Sequence, residues 1–484
     1  MSEFHQIASY KPRSPNYRLL PFRFTELNDH DYVATNLAGE YLVLGKDVVP
    51  KLINHQLSTD DPVYTELRAR HFLTDDTTAI ASDLLAIKVR TRYARLANFT
   101  SLHMFVVTLR CEHSCQYCQV SRQSDNKLQF DMSLADADAA LGLAFRSPSP
   151  YIKIEFQGGE PLLNPDLIRH IVGEAERRKA DKQIEFVIAT NLALINSEFL
   201  AFCGEHDIKI STSLDGPRDL HNKNRPRPGN DSYEKTISGI RLVRAALGRN
   251  KVSALMTTTE ASLGRVKDIV DEYLAQEFGG IFLRPLSPYG FAIRTRSYMK
   301  YNTDRWLDFY KQGLEYIIEL NKRGIGFREF YASTILAKML TSGDPGFVDL
   351  MSPSGIGIAA VLYNYDGYVY ASDESRMLAE MGDQHFRLGH VRQNSYNEIF
   401  LSLQLLKPIE DSFSYSNPMC HDCAFEPYCG ADPVFHWALH KDYVGRKPES
   451  EFCRRNMAIF QHLIGLMQDD NFVRQLFLKW ANRC

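Results

Sequence analysis

The sequence predicts an α/β protein built around a parallel barrel of six strand–helix units, with a smaller domain on either side. Three observations carry that expectation. Six apolar strand candidates alternate with helical stretches between Ser101 and about Ser287. Polar clusters fall at the carboxyl ends of those strands, where such sheets place their sites. A chain of 484 residues is also too long for a single core, and it divides at 1–98, 99–325, 326–453 and 454–484.

Composition narrows the function classes. Apolar residues make up 44% and charged residues 24% of the chain, as in ordinary globular proteins. A net charge of −3 argues against a broad nucleic-acid-binding surface, which needs clustered Lys and Arg, and leaves only a local patch open. Residues 1–16 contain no apolar signal-like core, and no run approaches the ~18–20 apolar residues of a membrane span. A cytoplasmic protein is expected. The nine cysteines gather as Cys111, Cys115 and Cys118, then Cys420, Cys423, Cys429 and Cys453, with Cys203 and Cys484 apart. Such clustering suits ligand sets in a reducing compartment, not a disulfide framework.

In chain order, residues 18–24 alternate with Leu20, Phe22 and Phe24 on one face, and 32–35 and 41–44 flank a turn at 36–39. That is a strand and a hairpin. Val48, Val49, Leu52, Ile53 and Leu57 keep helical spacing after Asp47, a candidate N-cap, and Pro62 opens a second helix containing Val63 and Leu67. A third helix is expected over 78–95, with Ile80, Leu84 and Ile87 on its inner face.

The barrel strands are expected at 103–109, 151–156, 184–190, 208–214, 252–258 and 281–285. The first runs into a loop that holds Cys111, Cys115 and Cys118. A structural zinc site wants four protein ligands, and this loop offers three, with His113 placed so that it must fold back on its own loop to serve. Three thiolates suit a four-iron cluster that keeps one iron open. The second strand ends in Gly158-Gly159-Glu160: glycines let backbone approach a ligand closely, and an acid there can hold an ammonium group, although Gly-Gly-Glu alone is an ordinary turn.

C-x3-C-x2-C with Tyr117 before the third cysteine resembles the signature of the radical S-adenosylmethionine (SAM) enzymes, whose partial (β/α)6 barrel fits the six units. The resemblance implies a [4Fe–4S] cluster on Cys111, Cys115 and Cys118, and SAM cleavage to a 5′-deoxyadenosyl radical. It implies contacts to SAM from Tyr117 and from Gly158, Gly159 and Glu160. Asn191 and Ser213, at the ends of the third and fourth strands, match positions lining the SAM ribose or substrate. Arg225 is a candidate partner for the SAM carboxylate, because a guanidinium grips a carboxylate with two hydrogen bonds; its competing reading is a solvated loop residue.

Beyond residue 325 the order of elements changes. A Gly- and Ile-rich run at 355–362 precedes a tight turn at Asp366-Gly367 between two strands, and a helix is expected over 396–406. This order, with Cys420, Cys423, Cys429 and Cys453, resembles the SPASM extension of peptide-modifying radical SAM enzymes. The four cysteines match its second auxiliary cluster. The first set is expected to be lost, with Ser352 or Ser354, Ser372 and Pro433 at its positions. Four thiolates equally suit zinc. Asp373 falls where relatives place a substrate base, and its competing reading is a surface acid. Cys203 reads as core, and the tail carries one or two amphipathic helices with Ile459, Leu463, Leu466 and Met467 inward.

The N-terminal strands and helices resemble the winged-helix-like peptide-recognition domain of ribosomal-peptide maturation systems, typified by the pyrroloquinoline-quinone precursor chaperone, in which a leader peptide adds a strand to a sheet edge. A DNA-binding winged helix or a structural cap are the competing readings. The phrases 105–111, 117–122 and 429–433 are most similar to the HxsB branch, the maturases of His-Xaa-Ser repeat peptide systems. That implies a precursor-peptide substrate, a paired radical SAM enzyme and an external electron donor. Two [4Fe–4S] clusters and SAM are the expected cofactors; the substrate radical is expected to close a crosslink, with heteroatom acquisition and epimerisation left open by the sequence. A sulfatase-maturase-like activity and an iron–sulfur redox-sensing DNA-binding regulator are the rival functions.

Overall fold

The computed structural model describes residues 17–75, 80–294, 298 and 301–482. Readings made on 1–16, Thr78 and Cys484 lie outside them. An eight-stranded sheet runs in the order Val252–Leu255, Lys209–Ser213, Gln183–Thr190, Tyr151–Gly158, Leu102–Thr108, Ala360–Tyr363, Tyr368–Tyr370, Arg387–His390. The first six are parallel, and the last two turn back as an antiparallel meander. Five expected barrel strands therefore lie side by side in sequence order, closed on the outer edge by the hairpin expected around Gly367.

Period-2 alternation explains how one strand serves both core and site. In Tyr151–Gly158, Ile152, Ile154 and Phe156 are fully buried, while Glu155 and Gln157 on the other face border the cavities described below. The helix Pro165–Arg178 covers the apolar face with Leu167, Ile168, Ile171, Val172 and Ala175.

The sixth barrel strand differs from the expectation. Only Gly280–Ile281 is a strand, and it pairs with Arg328–Glu329. Beyond it, Arg284 O accepts from both Thr258 N (3.0 Å) and Thr258 Oγ1 (2.7 Å), so one carbonyl replaces a ladder, and Pro285 has no N–H to extend it.

The N-terminal sheet pairs Phe22–Glu26, Asp31–Asn36 and Tyr41–Gly45 antiparallel, backed by Val48–Ile53 and Pro62–Ala69. Asp61 caps the second helix by accepting from Val63 N. Asp47 caps nothing: its backbone is already helical and its carboxylate bonds Lys51 at 2.6 Å. The helix Ala81–Tyr93 is turned the other way from the expectation, with Ile80, Leu84 and Ile87 exposed (54%, 42% and 56%) and Ala81, Leu85 and Arg92 inward. Arg92 sets that orientation, because its guanidinium donates to Ala38 O, Lys338 O and Pro427 O.

One face of the N-terminal sheet covers the domain's own core, including Leu42, Leu44, Leu52 and Phe72. The other packs on the cysteine-bearing segment: Thr35 Oγ1 donates to Ala424 O (2.6 Å), Tyr428 Oη to Gly39 O (2.8 Å), and Arg23 pairs with Glu426 (3.1 Å). The helix expected over 396–406 is two, Tyr396–Phe400 and Leu403–Asp411, with the Ser402 hydroxyl donating back to Ile399 O between them. The tail forms Glu451–Asp469 and Asn471–Ala481, joined at Asp470, which accepts from Phe472 N and Val473 N. Cys453 sits in the first turn of the former, so the division drawn after it falls inside a helix. Among the described residues no helix is long and apolar enough to cross a membrane.

Candidate functional site

Two thiol groups are assembled in the fold, and no disulfide links the described cysteines. The first borders a cavity of about 260 Å³ at the carboxyl ends of the parallel strands. Cys111, Cys115 and Cys118 line it with Tyr117, Gly158, Gly159, Glu160, Asn191, Ser213 and Arg225, so every residue assigned to this site by sequence is brought together. Burial pushes the Cys115 thiol up to about 12, against the pull of the nearby Arg225 charge. His113 is buried with both ring nitrogens engaged, Nε2 with Ser232 Oγ at 2.8 Å and Nδ1 with Glu112 at 3.1 Å.

The wall residues hold one another in place. Asp215, wholly buried, accepts from Tyr117 Oη (2.6 Å) and Arg225 Nε (3.0 Å), and the Arg225 guanidinium lies 5.4 Å from the Tyr117 ring centre. Arg225 is thereby fixed in the wall instead of solvated on a loop. Glu160 accepts from Thr190 Oγ1 (2.6 Å), Leu162 N (3.0 Å) and Asn191 N (2.8 Å). Burial, with the Glu112 charge behind it, pushes its carboxyl up to about 8. Asn191 Nδ2 in turn reaches Glu112 (2.8 Å) and His113 (3.0 Å), tying the third strand to the cysteine loop.

The two glycines also answer a demand from within the chain. A Cβ on Gly158 would stand 2.0 Å from Thr108 O, and one on Gly159 would stand 2.3 Å from Arg110 O. What they admit is the backbone that leads into the cysteine loop. Gly290, which carried no sequence signal, does the same from the other side: its φ is +58°, its Cβ would stand 2.4 Å from Gln119 O, and Phe291 N donates to Cys118 O at 2.8 Å. Thr212 Oγ1 and Gln119 Nε2 also line the cavity and are buried without a protein partner. With three thiols from one loop, these orphaned polar atoms fit a metal cluster and a polar organic ligand.

Cys420, Cys423, Cys429 and Cys453 border a cavity of about 170 Å³ walled by Phe24 and Thr25 of the N-terminal sheet and by Phe460. Burial pushes Cys423 up to about 11, with its neighbouring thiols adding to the rise, and Cys429 is raised further by burial and the other three. Four thiols that cost this much to ionise unaided suit a metal centre that takes their protons' place. Ser352, Ser372 and Pro433, expected at the positions of a first auxiliary set, have structural roles. Ser352 Oγ bonds Ser414 Oγ at 2.6 Å, Ser372 caps the helix Asp373–Ala379, and Pro433 opens Pro433–His440 under an Asp432 cap.

Asp373 is not a surface acid. It borders both the 260 Å³ cavity and its neighbour, pairs with Arg376 at 3.1 Å, and is raised above the ordinary carboxyl range by burial. Cys203 is fully buried among core residues, as expected.

Residues 105–271 match the family described as the Radical SAM superfamily. An uncharacterized protein of Methanocaldococcus jannaschii is 33% identical over 140 residues, 29% of this chain and 47% of that protein. This chain thus spans about half the length of that relative. The cysteine-type anaerobic sulfatase-maturating enzyme of Clostridium perfringens strain 13 is 22% identical over 336 residues, 66% of this chain and 84% of that one. The structure of anSMEcpe with bound AdoMet superposes with a TM-score of 0.62 at 17% identity, covering 79% of this chain and 99% of that one. Streptococcus suis SuiB bound to its precursor peptide SuiA gives 0.51 at 15% identity, covering 89% and 98%. These likenesses are of fold. Residues 105–271 thus resemble a radical SAM domain, and the chain shares the α/β architecture of these two structures.

Proposed function

We propose that the protein is a radical SAM enzyme that modifies a ribosomally made precursor peptide by closing a crosslink. One hydrogen atom is taken from a side-chain carbon by the 5′-deoxyadenosyl radical, and the second hydrogen leaves as a proton to a base, its electron passing to the auxiliary cluster. The observation that carries this is the convergence of Cys111, Cys115, Cys118 and two partnerless polar atoms on one cavity, which adjoins a larger chamber bordered by Asp373. Bound there, the cluster and SAM supply a 5′-deoxyadenosyl radical. Arg225, held by Asp215, offers its terminal nitrogens to a carboxylate; Glu160 offers an acceptor to an ammonium group; Asn191 and Ser213 border the same space. Asp373 stands between the two cavities, where it can hold a substrate proton. Cys420, Cys423, Cys429 and Cys453 hold an auxiliary cluster, with no open ligand position left for substrate.

The N-terminal domain is the seat of the peptide's leader, and its sheet lies directly over the auxiliary thiols. The HxsB-like branch, with a paired radical SAM enzyme and an external electron donor, is the finer reading. Formylglycine formation on a sulfatase is the second, favoured by the similarity over 66% of the chain to the Clostridium enzyme. The test is anaerobic incubation with SAM, a strong reductant and small peptides encoded beside the gene, reading 5′-deoxyadenosine and peptide mass together. Loss of one hydrogen pair supports the crosslink, and an aldehyde-reactive product on a sulfatase peptide supports the second reading. Intact clusters without 5′-deoxyadenosine refute both.

A further inference from the structure

Beyond the cysteine loop lies a second chamber of about 400 Å³. It shares wall with the first, since Glu155, Gln157, Leu255, Arg284 and Asp373 border both. Its wall sets three acids, Asp349, Glu374 and Asp432, against two cations, Arg284 and Arg455. The remaining acids on the wall have partners of their own: Asp373 has Arg376 at 3.1 Å, and Glu155 has Lys153 at 3.3 Å. Arg284 approaches Glu374 no closer than 3.8 Å. Asp432 uses one oxygen to accept from Phe435 N (2.9 Å). The chamber is one positive charge short of balance.

A second observation points to a ligand. Tyr289 is 1% exposed and borders the chamber, and its hydroxyl has no hydrogen-bond partner. Burial raises its pKa, the charges of Asp432, Glu374 and Asp349 raise it further, and all three acids border the same chamber. An unpartnered buried hydroxyl costs about 1–3 kcal/mol, and a donor or acceptor arriving with substrate removes that cost. The three carboxyls are themselves raised by burial, and Asp349 and Glu374 are drawn back down by Arg284.

We propose that this chamber seats a cationic side chain of the substrate, a guanidinium or an ammonium, against Asp349, Glu374 and Asp432, with the Tyr289 oxygen accepting from it. The inference rests on the peptide-modifying reading and narrows its substrate class to peptides with a basic residue near the reacting one. One unit of positive charge completes the balance. An acidic side chain would bring a fourth carboxylate into the same buried space, so the site selects by repulsion as well as by attraction.

The test uses reconstituted full-length enzyme with SAM bound. Acetylated, amidated Gly-Gly-X-Gly-Gly peptides with X as Arg, Lys, Gln or Glu, and agmatine, are titrated calorimetrically against wild type, E374Q and D349N. The Arg and Lys peptides are expected to bind wild type about tenfold or more tighter than the Gln peptide, with the Glu peptide weakest, and each variant to shrink that ratio severalfold. Equal binding of the Arg and Gln peptides, no binding of any peptide, or an unchanged ratio in both variants overturns the proposal. The wild-type series decides it even if a variant fails to fold. 5′-Deoxyadenosine measured on the same preparation reports on the underlying reading separately. Charge preference without SAM cleavage keeps the chamber and removes the radical chemistry. Agmatine binding as tightly as the Arg peptide keeps the cationic seat and removes the peptide.

Discussion

Arg23 and Glu426 join the N-terminal sheet to the loop between Cys423 and Cys429, and both are nearly buried, with side chains 8% and 6% exposed at 3.1 Å. Glu426 also accepts from Ser414 Oγ at 2.6 Å, while Arg23 Nε donates to His421 O beside Cys420. Replacing Arg23 with Met keeps most of its volume and strands the Glu426 charge. Breaking one side of a buried pair costs about 3–5 kcal/mol. At about 1.4 kcal/mol per factor of ten, amide exchange in residues 22–26 and 420–429 should speed up by about 100-fold or more if those segments open locally. Adding E426Q removes the stranded charge, so R23M/E426Q should recover most of the loss. Hydrogen–deuterium exchange by mass spectrometry reads both. R23M exchanging within a few-fold of wild type, or the double variant exchanging as fast as R23M, would refute the reasoning.

Three further outcomes follow from the geometry. G159A forces a Cβ to 2.3 Å from Arg110 O, so the start of the cysteine loop must move by about 1 Å, and cluster iron in the reconstituted protein should fall sharply while the fold, read by circular dichroism, persists. D215N weakens the charge-assisted bonds that hold Tyr117 and Arg225, worth about 1.5–3 kcal/mol, and should lower SAM affinity by about tenfold or more in equilibrium dialysis, with Y117F milder. His103 and His436 are each pushed down to about 4 by burial. Their unfolded forms bind protons near pH 6.5 and their folded forms do not, so stability present above that pH is lost as pH falls from about 6.5 toward 4. The full loss is of order 3 kcal/mol for His103, of which about 2 kcal/mol falls between pH 7 and 5, where urea midpoints of wild type and H103Q measure it.

The parts legible in the sequence were those carried by local pattern. Alternation in Ile152, Ile154 and Phe156 marks a strand between helices and cavity, and the cysteine spacing marks both thiol groups before any contact is known. What escaped depends on distant partners. The edge pairing of Ala360–Tyr363 with Leu102–Thr108 joins segments far apart in sequence, and neither announces the other. Ile80, Leu84 and Ile87 form an apolar stripe that propensity turns inward, yet the Arg92 hydrogen bonds to three carbonyls decide the helix's rotation. Gly158 and Gly159 were identifiable as close-approach residues, but their approach to the chain's own backbone at Thr108 and Arg110 was not. Asp373 and Glu374 look like a solvated acidic pair until the fold places them on a cavity wall.

The most direct test of the central claim is iron, sulfide and 5′-deoxyadenosine measured on one anaerobic preparation, for wild type and for C111A/C115A/C118A. Two four-iron clusters predict about eight irons in wild type with SAM cleavage on reduction, and about four irons with none in the variant. A wild type that assembles both clusters yet forms no 5′-deoxyadenosine, or a variant that still forms it, would contradict the account.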